Sequence, residues 1–282
     1  MNTIEKVEAQ ALLNMPFDME ISGRLYYQAK ELLLSRGFNL FKPNGDLRDK
    51  FINTLLDVMI KFTAMKYHLE NYEKRELQQI EMLKKDCLDN EHIGCKSYEL
   101  LYELEAFLFQ MKSALDLSVK LVGVLFPNRF QIKTFGDKGE KLIKGLNSFK
   151  EQKDTKTEVV DSIISMIRND QETWLRQAVD LRDTLSHYKT IAGYHYQAKA
   201  VGSEIEIIYP KISGLIAIEY MKVTYSNSLE FVQDFMCLMI GLFMPTNLGI
   251  SSILKQHVSV GEPLNQYIKF GINIKTTEAK KA

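Results

Sequence analysis

Cysteine is scarce in this sequence, and the few cysteines are poorly spaced for disulfides. Three occur in 282 residues, at positions 87, 95 and 237. An odd number of cysteines far apart in the chain fits a reducing cytoplasm better than the disulfide framework of a secreted protein. Cys87, His92 and Cys95 do fall close together, in CLDNEHIGC. A structural zinc site needs four ligands and no fourth is evident nearby, so we expect neither a metal nor another cofactor.

The sequence also lacks net charge and long apolar runs. Its 36 Lys and Arg residues balance 36 Asp and Glu residues, so no field of the whole chain would attract nucleic acid or anionic lipid, and any basic surface must be local. The longest apolar run, FMCLMIGLFM at 235–244, has half of the roughly 20 residues that span a bilayer. The N-terminal segment is acidic where a signal peptide is basic. These features predict a cytoplasmic protein with no membrane partner, in which 235–244 is a buried or interfacial helix.

The sequence does contain clear helical periodicity. With 45% apolar and 26% charged residues, it has the composition of a chain that buries a real core. Apolar positions recur at steps of three and four over residues 47–85, 97–126 and 160–188, which predicts long amphipathic helices. Ser97 can cap the start of the second helix, and Pro127 would end it.

A basic segment lies between the second and third predicted helices. Residues 129–156 hold eight basic and four acidic residues. The lysines at its centre, Lys138, Lys141 and Lys144, are candidates for contacts with RNA phosphates. A solvated loop is the commoner outcome for such a segment, because recognition also needs a formed groove or aromatic stacking.

A short β region follows the third predicted helix. Residues 203–225 are rich in Ile, Tyr and Val around Pro210 and Gly214, which predicts a β-hairpin or two short strands. Residues 228–244 then return to helix. We therefore expect a mostly α fold: an antiparallel helical bundle of residues 45–282 with a small β appendage, preceded by a helical extension of residues 1–44.

The most informative short stretch is LRDTLSHY, residues 181–188, at the end of the third predicted helix. Arg182 and His187 are five positions apart, so on a continuous helix they point about 140° apart and lie ~7.5 Å apart along the axis. They can act on one ligand if the helix loosens near Ser186, or if a second subunit brings its own pair alongside. Asp183 lies four positions before His187 and shares a face with it, so its carboxylate can fix which imidazole nitrogen faces a substrate.

These residue types suit cleavage of a phosphodiester without a metal. Arginine keeps its charge and its planar fork matches a phosphate, whereas histidine exchanges a proton near neutral pH. His187 would assist attack by an RNA 2′-hydroxyl or protonate the departing oxygen, and Arg182 would oppose the charge that grows on the phosphate. DNA lacks the 2′-hydroxyl and would not react by this route.

The run RDTLSH, Arg182 to His187, resembles the RxxxxH motif of the HEPN superfamily (higher eukaryotes and prokaryotes nucleotide-binding). These are small α-helical domains, many of them ribonucleases of toxin–antitoxin, phage-defence and RNA-processing systems. A polar residue follows the arginine in that family, as Asp183 does here. Residues 103–126, with Ser113 to Asp116, are similar to a helix that precedes the motif in several HEPN groups. Some HEPN toxins have a modifiable tyrosine two positions after the histidine, but this chain has Lys189 there, so we do not expect control by that route.

The resemblance implies a metal-independent endoribonuclease that leaves a cyclic phosphate on the upstream fragment. Arg182 would bind the phosphate, His187 would act as general acid or base, Asp183 would orient it, and Lys189 would add an RNA contact. A homodimer would supply two histidines, with the apolar stripe of 101–125 or the segment 235–244 as its contact surface. An antitoxin or other regulatory protein is a further expected partner.

Two other interpretations of the motif stay open at this point. The chain can be a HEPN-like module that binds RNA or a nucleotide without cutting, as a sensor or adaptor. It can also be a helical scaffold with an inert motif, in which Arg182 is an ordinary surface residue. Asp183 and His187 would then form an exposed pair that contributes roughly 0.3 kcal/mol.

Overall fold

Helices dominate the structure, and its strands are few and short. The computed structural model describes residues 18–34, 41, 45–186, 191, 194–252 and 264–274. The predicted mostly α fold is therefore confirmed. No helix in the described part of the chain has the length and apolarity needed to cross a lipid bilayer.

The elements alternate long helices with brief β segments. The helices, in chain order, are α1 (Met19–Ile21), α2 (Gln28–Leu34), α3 (Gly45–Cys87), α4 (Tyr98–Leu125), α5 (Glu140–Lys150), α6 (Thr157–Asp170), α7 (Arg176–Ser186) and α8 (Ala217–Phe243). Short π-helical segments join α1 to α2 (Ser22–Tyr27) and α6 to α7 (Gln171–Leu175). The strands are β1 (His92–Cys95), β2 (Tyr196–Val201), β3 (Glu204–Ile208), β4 (Lys211–Ile212), β5 (Leu215–Ile216), β6 (Leu248–Ser252) and β7 (Phe270–Ile274).

The chain forms two compact units, each assembled from separate stretches of sequence. The first unit takes its described residues from Met1–Thr63, Ala114–Ile167 and Leu229–Ala282, and the second from Ala64–Ser113 and Arg168–Ser228. The expected division of the chain at residue 44 stays a prediction. Within the first unit, the side chain of Gln28 on α2 accepts hydrogen bonds from the backbone N–H groups of Lys269 (2.7 Å) and Phe270 (3.0 Å), so α2 is fixed to the start of β7.

The long helices agree with the apolar periodicity of the sequence. α3 and α4 begin and end within a few residues of the predicted bounds, and the third predicted helix is α6 and α7 joined by a π-helical segment. The Ser97 hydroxyl accepts a hydrogen bond from the Leu100 N–H at 3.4 Å, as the cap prediction requires. α4 ends at Leu125, two residues before Pro127. Local sequence signals are therefore sufficient for these helices.

One helix of the structure, α5, was not predicted from the sequence. α5 occupies the centre of the basic segment 129–156, which was expected to be a solvated loop or a nucleic-acid surface. Its apolar side chains Leu142, Ile143, Leu146 and Phe149 are buried. These positions follow an i, i+1, i+4, i+7 pattern, which is a helical period. Because α5 has only eleven residues, its charged residues hid this period in the sequence.

The predicted β region has different bounds in the structure. β2 ends at Val201, before the predicted region begins, and α8 begins at Ala217, so the last part of 203–225 is helical rather than β. Five of the nine residues of this part, 217–225, are β-branched or aromatic, which favours strands. Their burial nevertheless has a helical period, with Ala217, Tyr220, Met221 and Thr224 buried. Tertiary packing of one helical face therefore overrides the strand propensity.

The β elements of the second unit form two small antiparallel sheets. β1, β2 and β3 make a three-stranded sheet in that order, and β4 pairs with β5. The β4–β5 turn has positive φ at Ser213 (50°) and Gly214 (85°), as a two-residue hairpin turn of type I′ requires. In the first unit β6 pairs with β7. The sequence did not predict β1, β2, β6 or β7.

Candidate functional site

Two of the three predicted catalytic residues lie near the end of α7, in the second unit. Nη1 of Arg182 is 2.8 Å from Oδ1 of Asp183. The Arg182 side chain is 22% exposed and that of Asp183 is 45% exposed. A pair this open to solvent contributes at most about 1 kcal/mol to stability. It can therefore open readily for a stronger ligand.

The third predicted catalytic residue, His187, lies outside the described residues, as does Lys189. The predicted face shared by Asp183 and His187 therefore stays a prediction. The contact that the structure does show for Asp183, with Arg182, was not predicted. Adjacent residues on a helix do not face each other, so sequence spacing alone gives no reason to pair them. The long arginine side chain bridges the gap.

An aromatic ring of α4 lies beside the Arg182 guanidinium. Cζ of Arg182 is 5.7 Å from the centroid of the Phe109 ring, within the range of a cation–π interaction. Nε of Arg182 is buried and has no hydrogen-bond acceptor among the described residues. The guanidinium is thus held by a carboxylate and a ring, and it retains hydrogen-bonding capacity that these neighbours do not use.

Three of the four lysines that were expected to bind RNA, Lys138, Lys141 and Lys144, belong to the first unit. Lys138 has a φ of 56° in the 3-10 turn before α5. Lys141 makes a weak contact with Asp137 (Nζ to Oδ2, 3.9 Å), and Lys144 is exposed. Lys141 and Lys144 are three residues apart and therefore share one side of α5. Their role in RNA binding stays a prediction.

A buried chain of hydroxyl groups lies in the second unit and was not foreseen. The Tyr72 hydroxyl is 2.6 Å from that of Tyr194 and 2.8 Å from that of Tyr196, and Tyr196 donates to Oε1 of Glu76 at 2.7 Å. All four side chains are almost fully buried. Burial is the main cause that raises the pKa of Glu76, and the hydrogen bond from Tyr196 opposes it. We call this set the tyrosine relay.

An ionic ladder joins α3 to α4 in the same unit. Glu103 accepts from His68 (Nδ1 to Oε2, 2.7 Å) and from Arg75 (Nε to Oε1, 3.3 Å). Arg75 also binds Glu99 through Nη1 at 2.6 Å. Glu103 is thus paired with two side chains of α3. Farther along α4, in the first unit, Asp116 accepts a hydrogen bond from the Phe135 N–H at 2.8 Å.

The described residues contain no group of three or more His, Cys, Asp or Glu side chains placed to hold a metal ion. Cys87 is buried, and the Cys95 sulfur lies 3.4 Å from Nε2 of Gln79. No protein-family model, curated protein or solved structure matches the chain.

Proposed function

We propose that this protein is a HEPN-like, metal-independent endoribonuclease whose reaction centre is the RDTLSH segment. The observation that carries the proposal is the state of Arg182. Its guanidinium is held beside Asp183 and Phe109 with one nitrogen lacking an acceptor among the described residues, five positions before a histidine. A cation fixed in this way is suited to bind a phosphate while a histidine takes the proton of the attacking 2′-hydroxyl or gives a proton to the departing oxygen.

The proposed reaction breaks one bond and forms another without a metal. A histidine takes the proton of the 2′-hydroxyl, and the 2′-oxygen attacks the adjacent phosphorus. The bond from phosphorus to the 5′-oxygen breaks, and that oxygen leaves with a proton from a second acid. The products are a 2′,3′-cyclic phosphate and a 5′-hydroxyl. Arg182 stabilises the negative charge that develops on the phosphate oxygens.

A homodimer would supply the second acid, because each subunit contributes one His187. The surfaces that we expected to form the dimer contact are not available for it. Apolar side chains of the stripe on α4, including Leu104, Leu108 and Met111, are buried within one chain. The same holds for most of 235–244, where Phe235 and Ile240 are almost fully buried. The dimer contact of this proposal must therefore use another surface.

The proposed setting is the cytoplasm, in a toxin–antitoxin or phage-defence system. An uncontrolled ribonuclease damages the cell that makes it, so such a system includes an antitoxin or another regulatory protein. We propose that this partner acts on the same site. RNA is the substrate, and neither the reaction nor the partner requires a membrane.

The test is cleavage of RNA by variants with matched controls. We expect His187→Ala and Arg182→Ala each to lower the cleavage rate by about two orders of magnitude, the scale for losing an acid–base group or a charge stabiliser. His195→Ala and Arg176→Ala remove the same residue types elsewhere in the second unit and should change little. EDTA should have no effect, and the product should carry a cyclic phosphate. Cleavage that survives both motif substitutions would contradict the mechanism, and RNA binding without cleavage would indicate a sensor or adaptor.

A further inference from the structure

An exposed row of aromatic rings runs along α4 toward Arg182. The exposed fractions are 56% for Tyr98, 62% for Tyr102 and 38% for Phe109, in a helix whose other face is buried. At 100° per residue these three positions fall within an arc of about 40°. We call them the aromatic stripe. Large rings are seldom left this exposed in a row without a ligand.

A cation lies over the ring at each end of the stripe. Nζ of Lys96 is 5.3 Å from the Tyr98 ring centroid, and Cζ of Arg182 is 5.7 Å from that of Phe109. Exposed rings flanked by cations are the combination that binds single-stranded nucleic acid, since bases stack on the rings and the cations meet the phosphates. The same rings with aliphatic neighbours would fit an apolar partner better.

The acidic residues near the stripe are largely neutralised. Glu99 is paired with Arg75, and Glu103 is paired with Arg75 and His68. Glu105 is the exception on this side of the helix, with no ion pair among the described residues. Its carboxylate would therefore repel a phosphate on the stripe.

The spacing of the rings distinguishes a single strand from a duplex. At 1.5 Å per residue, Tyr98 and Tyr102 are separated by about 6 Å along the helix, and Tyr102 and Phe109 by about 10 Å. Bases in a duplex stack on one another about 3.4 Å apart, so neighbouring bases cover their faces. A single strand can splay its bases apart and lay one against each ring.

We infer that the aromatic stripe is the path on which single-stranded RNA stacks its bases as it approaches Arg182. The direction of the strand along α4, toward Arg182, rests on the proposed nuclease function. The stripe would select unpaired RNA, and Arg182 would receive the phosphate that follows the last stacked base. Glu105 would limit how tightly the strand is held.

The experiment measures binding separately from cleavage. Fluorescence anisotropy is recorded with single-stranded DNA and with 2′-O-methyl RNA of about 12 nucleotides, a length within the usual range of single-strand sites. Neither probe can react by 2′-hydroxyl attack. Tyr98→Leu and Tyr102→Leu should each weaken binding at least about fivefold, the lower limit for loss of one stacked base. Tyr98→Phe and Tyr102→Phe keep the ring and should bind as the wild type does.

Three controls complete the design. Leu77→Ala removes an exposed apolar side chain of α3 (60% exposed) and should leave binding unchanged. Glu105→Gln should strengthen binding, and duplex RNA should not compete. The inference would be overturned if the Leu variants bind as well as the wild type, if the Phe variants lose as much binding as the Leu variants, or if the wild type does not bind. It would also be overturned if the stripe substitutions affect only self-association or binding of another protein, and not binding of the single strand. Stripe-dependent binding without RNA cleavage would leave the inference standing and contradict only the nuclease.

Discussion

The tyrosine relay allows a prediction in which the order of the effects follows from the direction of its hydrogen bonds. Each hydroxyl has a single proton, and that of Tyr196 goes to Glu76. The bond between Tyr196 and Tyr72 must therefore use the Tyr72 proton, and the bond between Tyr72 and Tyr194 must use the Tyr194 proton. While Glu76 is ionised, three hydroxyls thus donate in sequence toward one buried carboxylate.

Tyr196→Phe should be the most costly single change in this relay. It removes a hydrogen bond to a buried charged acceptor, which contributes about 1.5 to 3 kcal/mol, and it leaves one buried hydroxyl without an acceptor, which costs about 1 to 3 kcal/mol. We expect a loss of roughly 3 to 5 kcal/mol in the free energy of unfolding. Tyr194→Phe removes only the first donor of the relay and should cost about 1 kcal/mol.

The penalty of Tyr196→Phe should also depend on pH. Burial raises the pKa of Glu76 above its ordinary value of 4.5, so the folded chain binds this proton more tightly than the unfolded chain. Ionisation of Glu76 then lowers stability as pH rises above 4.5 and through the raised pKa of the folded state. The Tyr196 hydrogen bond offsets part of this loss, so its removal should cost more at neutral pH than below 4.5. Glu76→Gln should flatten this pH dependence.

The assay is urea unfolding followed by tryptophan fluorescence. Trp174 is the single tryptophan of the chain, it is 8% exposed, and it lies in the same unit as the relay. Its emission therefore reports the unfolding of this unit, and linear extrapolation gives the free energy. Tyr67→Phe, at a side chain that is 60% exposed, is the matched control and should cost almost nothing. Equal penalties for Tyr196→Phe and Tyr194→Phe, or a Tyr196→Phe penalty that does not change with pH, would contradict these hydrogen-bond directions.

Three further predictions concern other parts of the molecule. Asp183→Asn should lower KM for RNA, because Arg182 loses its competing carboxylate, and it should lower kcat if the same carboxylate orients His187. Steady-state kinetics separate the two effects, and an unchanged kcat would show that Asp183 does not orient His187. Lys156→Met should destabilise the first unit by about 2 to 4 kcal/mol in thermal unfolding, since Nζ donates to the carbonyls of Gly241, Pro245 and Leu248 at 2.9 to 3.3 Å. The control is Lys153→Met, at an exposed lysine, and equal destabilisation by both substitutions would contradict this prediction. Light scattering at micromolar concentration should give a mass near twice 32.6 kDa, and a mixture of Arg182→Ala and His187→Ala chains should regain cleavage; a monomer that still cuts would exclude action across a dimer.

The elements that the amino-acid sequence predicts correctly are those whose signals are local. The apolar period of α3 and α4, the Ser97 cap and the stop before Pro127 all depend on residues a few positions apart, and each of these predictions agrees with the structure. The same reasoning failed where local propensity and tertiary burial disagree. The start of α8 is strand-like in composition but has one buried helical face, and α5 is short enough for its charges to mask its period.

The contacts between distant side chains depend on the tertiary fold. Tyr72 and Tyr194 are 122 positions apart in the chain, and no spacing rule relates Phe109 to Arg182. Periodicity showed which face of α4 is buried, but the partners of the exposed face depend on where α7 and the segment before α4 lie beside it. Even Asp183 joined a neighbour that helical spacing does not pair with it. Such contacts depend on the relative position of whole elements, which the packing of all their buried faces fixes together and no local pattern encodes.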